Sequence, residues 1–207
     1  MNQRIFRSHE DLSQAAARAI LQSGAKSIAV TGGSTPKRLY EILSESLPPD
    51  VTWVLVDERF VPHDDPQSNA AMIERTLFAR GVPSRWLKFD TSLPDAASCA
   101  REFEAAWDVE SLDLVLLGCG EDGHTASLFP GTPVLDVSDR VAAEVYVPRL
   151  EQWRVTLTMP VIRAARSRMV LVSGASKAPV LEQVRQGVDY PVVRATQGVD
   201  TWWLISA

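Results

Sequence analysis

The feature that most restricts what this chain can fold into is a repeated alternation. A short β-branched or aliphatic run leads into a loop containing glycine or aspartate, and a stretch with helical spacing follows. Four segments show it best: 27–30 before Thr31-Gly32-Gly33-Ser34, 51–56 before Asp57-Glu58-Arg59, 112–117 before the 118–123 loop, and 169–172 before Ser173-Gly174. This is the βαβ signature of an α/β protein built on an open, mostly parallel sheet with helices on both faces. The runs 141–146 and 154–158, separated by Pro148, read as an antiparallel pair forming a small extension beside the main sheet.

The first helix is marked by Ser8 as N-cap, Asp11 three residues later, an Ala-rich interior through Leu21, and Gly24 as its stop. Further helices are expected from Pro36 to about 46, 68 to 79, 95 to 107 and 176 to 185. A chain of 207 residues that is 45% apolar can bury a sizeable core, and one domain spanning 1–207 is the natural reading. The absence of an apolar run near ~20 residues argues against a membrane protein and for a cytoplasmic one. Cys99 and Cys119 are the two cysteines, and their spacing suggests neither a disulfide framework nor a zinc site. The net charge of −5 disfavours general binding to nucleic acid, and it requires any site for an anionic substrate to gather its own cations and backbone donors.

In open parallel sheets ligands bind outside the carboxyl ends of the strands, where the unusual residues of this chain collect. The loop from Thr31 to Pro36 suits an anion: Gly33 permits close approach, Ser34 or Thr35 supplies the helix cap, and Pro36 takes the first helical position. An ordinary strand-to-helix turn has the same composition. Residues 118–123, Gly-Cys-Gly-Glu-Asp-Gly, match the dinucleotide fingerprint formally. Glu121 and Asp122 would nevertheless put negative charge where a pyrophosphate should sit, and Pro130 and Pro133 come too soon for a long helix. A tight turn presenting His124 is the better reading, because an imidazole suits general-base chemistry near neutral pH.

Of the other histidines, His9 reads as a surface residue and His63 as part of a polar, Pro-rich turn, although a metal site there is conceivable. Cys119 lies five positions before His124, yet a small buried residue is a better account of it than a nucleophile. Asp57 and Arg59 stand at a strand's carboxyl end, with Glu58 pointing away if the strand alternation persists; a surface ion pair is the bland alternative. Lys177 opens a helix, where the dipole disfavours a cation unless an anion binds, and Arg154 is a second candidate for holding a phosphate. Trp202 and Trp203 fit a core or subunit-contact role better than a sugar-stacking one.

Gly32 to Pro36, Asp57 to Pro62 followed by Ser68-Asn69, Gly118 to Gly131 (GCGEDGHTASLFPG), Arg154 to Thr158, and Gly174 with Lys177 together resemble the glucosamine-6-phosphate isomerase/6-phosphogluconolactonase family. After Asp-Gly-His, the residues from Thr125 to Pro130 follow the lactonase pattern, and the Glu that assists ring opening in the deaminases has no evident match. The resemblance implies a Rossmann-like fold and hydrolysis of 6-phospho-D-glucono-1,5-lactone to 6-phosphogluconate in the oxidative pentose phosphate pathway. It implies His124 as base, with Gly33, Ser34, Arg154 and Lys177 near the phosphate. Because the substrate is an activated ester, positioned water and a stabilised oxyanion should suffice without metal or cofactor. Asp122 is then expected to orient the imidazole, Arg59 or loop N–H groups to meet the oxyanion, and Asp57 to bind sugar hydroxyls. The expected partner is a small phosphosugar lactone, with no nucleic acid or membrane, and the chain acts as a monomer or small homo-oligomer. A deaminase-isomerase acting on glucosamine 6-phosphate and a non-catalytic phosphosugar sensor are the competing readings.

Overall fold

The computed structural model describes residues 2–83, 85–198 and 200–206. In chain order the strands are β1 (Asn2–Phe6), β2 (Ser27–Val30), β3 (Thr52–Leu55), β4 (Asp57–Arg59), β5 (Trp86–Leu87), β6 (Leu114–Gly118), β7 (Ala142–Val147), β8 (Gln152–Leu157), β9 (Ser167–Ser173) and β10 (Thr201–Ser206). The helices are α1 (His9–Gln22), α2 (Ser34–Leu43), α3 (Asn69–Thr76), α4 (Ala96–Ala105), α5 (Met159–Ala164), α6 (Ala178–Arg185) and α7 (Pro191–Thr196).

Seven of these strands form a sheet in the order β1-β10-β9-β6-β2-β3-β5, with each neighbouring pair parallel. Every residue of β2 is buried, as are Leu114 to Leu117 of β6, so both faces of the central strands are covered. From β2 the chain winds one way to β3 and β5, then returns to the other side of β2 to lay down β6. The carboxyl ends of β2 and β6 therefore flank the point where the winding reverses, which is where an open α/β sheet leaves a crevice.

The expected antiparallel addition is a three-stranded second sheet, β4-β8-β7, beside the first. Asp57 to Arg59 belong to it, whereas the sequence pattern places them at the end of β3. Val56 is the pivot. Its N–H still donates to Val30 O at 3.0 Å in the parallel sheet, while its C=O accepts from Leu157 N at 2.8 Å in the direction of the second. The strand thus changes partners within one residue, and Asp57 pairs with Thr156, Glu58 with Val155 and Arg59 with Arg154.

Glu58 anchors this junction. It is 1% exposed, and its two oxygens accept from Arg59 N (2.8 Å), Asn69 N (2.7 Å), Ala70 N (2.7 Å) and Ser68 Oγ (3.2 Å), while Ser68 Oγ itself caps Ala71 N. A carboxylate at a helix N-terminus satisfies donors that would otherwise be orphaned. Burial pushes the Glu58 carboxyl above its ordinary pKa, against the downward pull of those N–H groups. Replacing Glu58 with Ala leaves these donors buried and unmatched, and should lower unfolding free energy by about 3 kcal/mol. Urea denaturation checks this; an unchanged midpoint would show that the cap contributes nothing.

Candidate active site

A cleft of about 430 Å³ opens at the carboxyl ends of β2, β6 and β9, and its wall includes the start of α2, the His124 loop, β4, β8 and Lys177. Of the nine residues singled out from sequence, eight line it: Gly33, Ser34, Thr35, Asp57, Arg59, His124, Arg154 and Lys177. Asp122 stands behind the imidazole and does not line the cleft itself.

The β2–α2 loop differs from the expected cap. The helix begins at Ser34, with Pro36 in its third position, and Gly33 is the N-cap with φ +99 and no side-chain hydrogen bond to the first turn. A residue with a Cβ is disfavoured at that φ, and the missing side-chain cap leaves the first-turn N–H groups for a ligand. Two side chains hold the loop. Tyr40 Oη, fully buried, donates to Thr31 O at 2.6 Å. His9, read from sequence as a surface residue, is half-buried, and its Nε2 lies 2.7 Å from Thr35 O. The Gly32 backbone packs where a Cβ would collide with Asn69, whose Nδ2 donates to Asp57 O at 2.9 Å.

The 118–124 loop closes on itself through Gly120 N to His124 O (2.8 Å) and Gly123 N to Gly120 O (3.0 Å), so it is a compact turn and not the opening of a helix. His124 Nδ1 lies 2.5 Å from Asp122 Oδ1, and the ring stacks on Phe129 with centroids 4.2 Å apart. Among the described residues Nε2 of His124 has no partner. Desolvation opposes ionisation of Asp122, but the bonds from His124 and the Arg149 cation outweigh it and hold the carboxyl down at about 2. At neutral pH it is a carboxylate. The chain then continues through a turn with Ala126 in the left-handed region (φ 51) to Ser127, whose Oγ donates to Asp57 Oδ2 at 2.7 Å and ties the histidine loop to β4.

Arg59 and Arg154 are direct cross-strand partners. Arg59 donates to Gln67 O at 2.6 Å, and the Nε atoms of both arginines are buried without an acceptor. Arg154 is 9% exposed and, among the described residues, forms no ion pair; burial and the adjacent Arg59 press its pKa down. Like charges opposite one another on a sheet are destabilising, so this arrangement favours an anion between them. Lys177 adds a third cation, its nearest carboxylate being Glu121 at 3.9 Å.

Other residues stand apart from this chemistry. Cys119 borders the cleft but is nearly buried, and desolvation pushes its thiol up to about 11, as for a packed residue and not a nucleophile. His63 pairs with Glu74 at 3.0 Å, away from the cleft. Trp203 is buried in β10, and Trp202, with Arg4 over its ring, lines a different groove at the amino ends of the strands. The sequence reading missed His9, Tyr40, Asn69, Ser127 and Arg149 as supports. Ser127 and Asn69 lie inside the motif blocks, whereas Arg149 carries no local signal.

The histidine turn tolerates glycine alone at position 120, since a Cβ there would fall on both the His124 ring and Asp122. Gly120→Ala should drive the imidazole from Asp122, erasing the downfield proton resonance of a short Nδ1–H···O bond. Gly118→Ala, which meets nothing within 4 Å, should keep it. Retention of that resonance in both variants would mean that the turn is not packed as described.

Comparison with known proteins agrees with this architecture. Residues 3–203 match the family of glucosamine-6-phosphate isomerases and 6-phosphogluconolactonases. A 6-phosphogluconolactonase from Nostoc sp. is 41% identical over 180 residues, covering 80% of this chain and 74% of that protein. The crystal structure of a 6-phosphogluconolactonase from Thermotoga maritima superposes with a TM-score of 0.86 at 26% identity, covering 100% of this chain and 99% of that one. A monomeric glucosamine-6-phosphate deaminase shares the fold at 24% identity, with a TM-score of 0.84 over 100% of this chain and 97% of that one. The chain belongs to the glucosamine-6-phosphate isomerase/6-phosphogluconolactonase family.

Proposed function

We propose that this chain hydrolyses 6-phospho-D-glucono-1,5-lactone to 6-phosphogluconate, the step that lactonases of this family contribute to the oxidative pentose phosphate pathway. The observation that carries the reading is the His124–Asp122 pair, facing a wall of uncapped helix N–H groups and cations across one cleft. The relatives named 6-phosphogluconolactonase support the choice of substrate.

In this reading Asp122 accepts from the protonated Nδ1, which leaves Nε2 as a lone-pair base toward the cleft. Nε2 takes a proton from water as its oxygen attacks the lactone carbonyl. The tetrahedral oxyanion is met by Arg59, and when the ring C–O bond breaks the same proton passes to the leaving ring oxygen. Atoms balance with water alone. Arg154, Lys177 and the N–H groups of Gly33, Ser34 and Thr35 hold the phosphate, and Asp57, fixed by Ser127, accepts from sugar hydroxyls. Phosphate binding far from the reacting carbon is useful because it positions that carbon against the base.

The test is the rate of loss of freshly generated lactone, measured against its spontaneous hydrolysis. Wild type should accelerate it, and His124→Ala should lower kcat by roughly 10²- to 10⁴-fold with its fold intact. Full activity in His124→Ala would remove the base from the mechanism, and ammonia release from glucosamine 6-phosphate without lactone hydrolysis would replace the reaction. Truncating Arg154 or Lys177 to Ala should raise KM roughly 10- to 100-fold, the equivalent of about 1.5–3 kcal/mol of charge-assisted hydrogen bonding, with a smaller change in kcat. An unchanged KM in both would place the phosphate elsewhere.

A further inference from the structure

We propose that Arg149 is a positioning residue for the reaction: from the turn between β7 and β8 it holds the second oxygen of Asp122, so that the carboxylate cannot rotate away from His124. This rests on the lactonase reading for its kinetic consequence, though not for its geometric one.

The carboxylate is divided between two partners on different parts of the chain. Oδ1 faces His124 Nδ1 at 2.5 Å and also accepts from His124 N at 3.2 Å, while Oδ2 meets the Arg149 guanidinium at 2.5 Å. Arg149 sits on the one-turn 3₁₀ segment Pro148–Leu150, which is closed by Glu151 in the left-handed region and by Glu151 N donating to Pro148 O at 3.1 Å. Its guanidinium carbon lies 5.2 Å from the centre of the Phe129 ring, the same ring on which His124 stacks. Imidazole, carboxylate and guanidinium are thus assembled around one aromatic side chain.

An isolated aspartate on a tight turn keeps freedom about its side-chain bonds, and one hydrogen bond to the imidazole fixes only one oxygen. A second bond to the other oxygen, from an element outside the turn, sets the carboxylate plane. That plane in turn selects the tautomer with the proton on Nδ1 and the lone pair on Nε2. The side chain of Arg149 is 54% exposed, so as a stabilising ion pair it is worth little. Its effect belongs in the orientation of the base.

The experiment compares wild type, Arg149→Ala, Arg149→Lys, Asp122→Asn and the double variant Asp122→Asn/Arg149→Ala, with lactone kinetics and NMR of the His124 ring on each. The expected result for Arg149→Ala is a kcat lowered roughly 10- to 100-fold, with KM unchanged and the Nδ1–H resonance broadened or lost. Arg149→Lys should restore most of both, and the double variant should be no slower than Asp122→Asn alone. A raised KM with kcat unchanged would make Arg149 a substrate contact and overturn the proposal, as would an unaltered kcat and resonance in Arg149→Ala. Wild type inactive on the lactone would count against the lactonase reading, while the ring resonances of the same variants would still decide the role of Arg149.

Discussion

Burial of both faces of the parallel sheet is the constraint on which the rest depends. With β2 and the middle of β6 closed off on either side, polar side chains have room only at the strand ends. Reversal of the winding between those two strands then opens a crevice between their carboxyl ends, and the β2–α2 loop and the histidine turn necessarily face each other across it. The second sheet supplies the remaining wall. Because Val56 bonds to both sheets, Asp57 and Arg59 are delivered to the cleft rather than continued along the parallel sheet. Glu58, pointing the opposite way, spends its charge on the start of α3. Adjacent carboxylates thus serve different ends: one braces the scaffold and the other lines the cleft.

The charge distribution follows a similar division. The chain carries a net −5, yet the cleft gathers Arg59, Arg154 and Lys177 around an uncapped helix start. Placing two guanidinium groups opposite each other on β4 and β8 costs stability in the free protein. In the proposed reading, the phosphate on Arg154 and the developing oxyanion on Arg59 would each offset part of that cost. On the proposed reading, the same preorganisation would make the phosphate end of a substrate the handle and leave the His124 end to act on the carbonyl that the handle brings to it.

Much of this was legible in the residues. Strands β2, β3, β6 and β9 stand out because continuous burial demands apolar runs; the cap of α1 is the Ser8 side chain that the spacing marks, and α3 and α4 start just after Ser68 and Asp95, which prove to be their caps. The edge strand β1 was not legible, since Asn2, Gln3 and Arg4 have one neighbouring strand and no apolar pattern. Nor were α5 and α7, six residues each and opened by proline-containing turns. At the site, the residues lying within glycine-rich loops were readable because each loop carries its own turn chemistry. Supports set by tertiary packing were not: Tyr40 acts on the Thr31 carbonyl, His9 on that of Thr35, and Arg149 reaches Asp122 from another sheet. Such contacts are properties of the tertiary fold, and no local periodicity encodes them.

The state of Cys119 bears on why water, rather than the protein, is the nucleophile in this reading. A thiol five residues from a histidine invites a covalent mechanism, yet desolvation raises it to about 11, and the Lys177 cation only partly opposes that shift. At neutral pH the thiolate is scarce. His124 cannot activate it through Nδ1, which is committed to Asp122, and its one unpartnered nitrogen belongs to the cleft. A lactone, being an ester already, does not require the stronger nucleophile. In the proposed reading an imidazole therefore suffices for a reactive substrate, and the specificity would lie in the cations assigned to the phosphate.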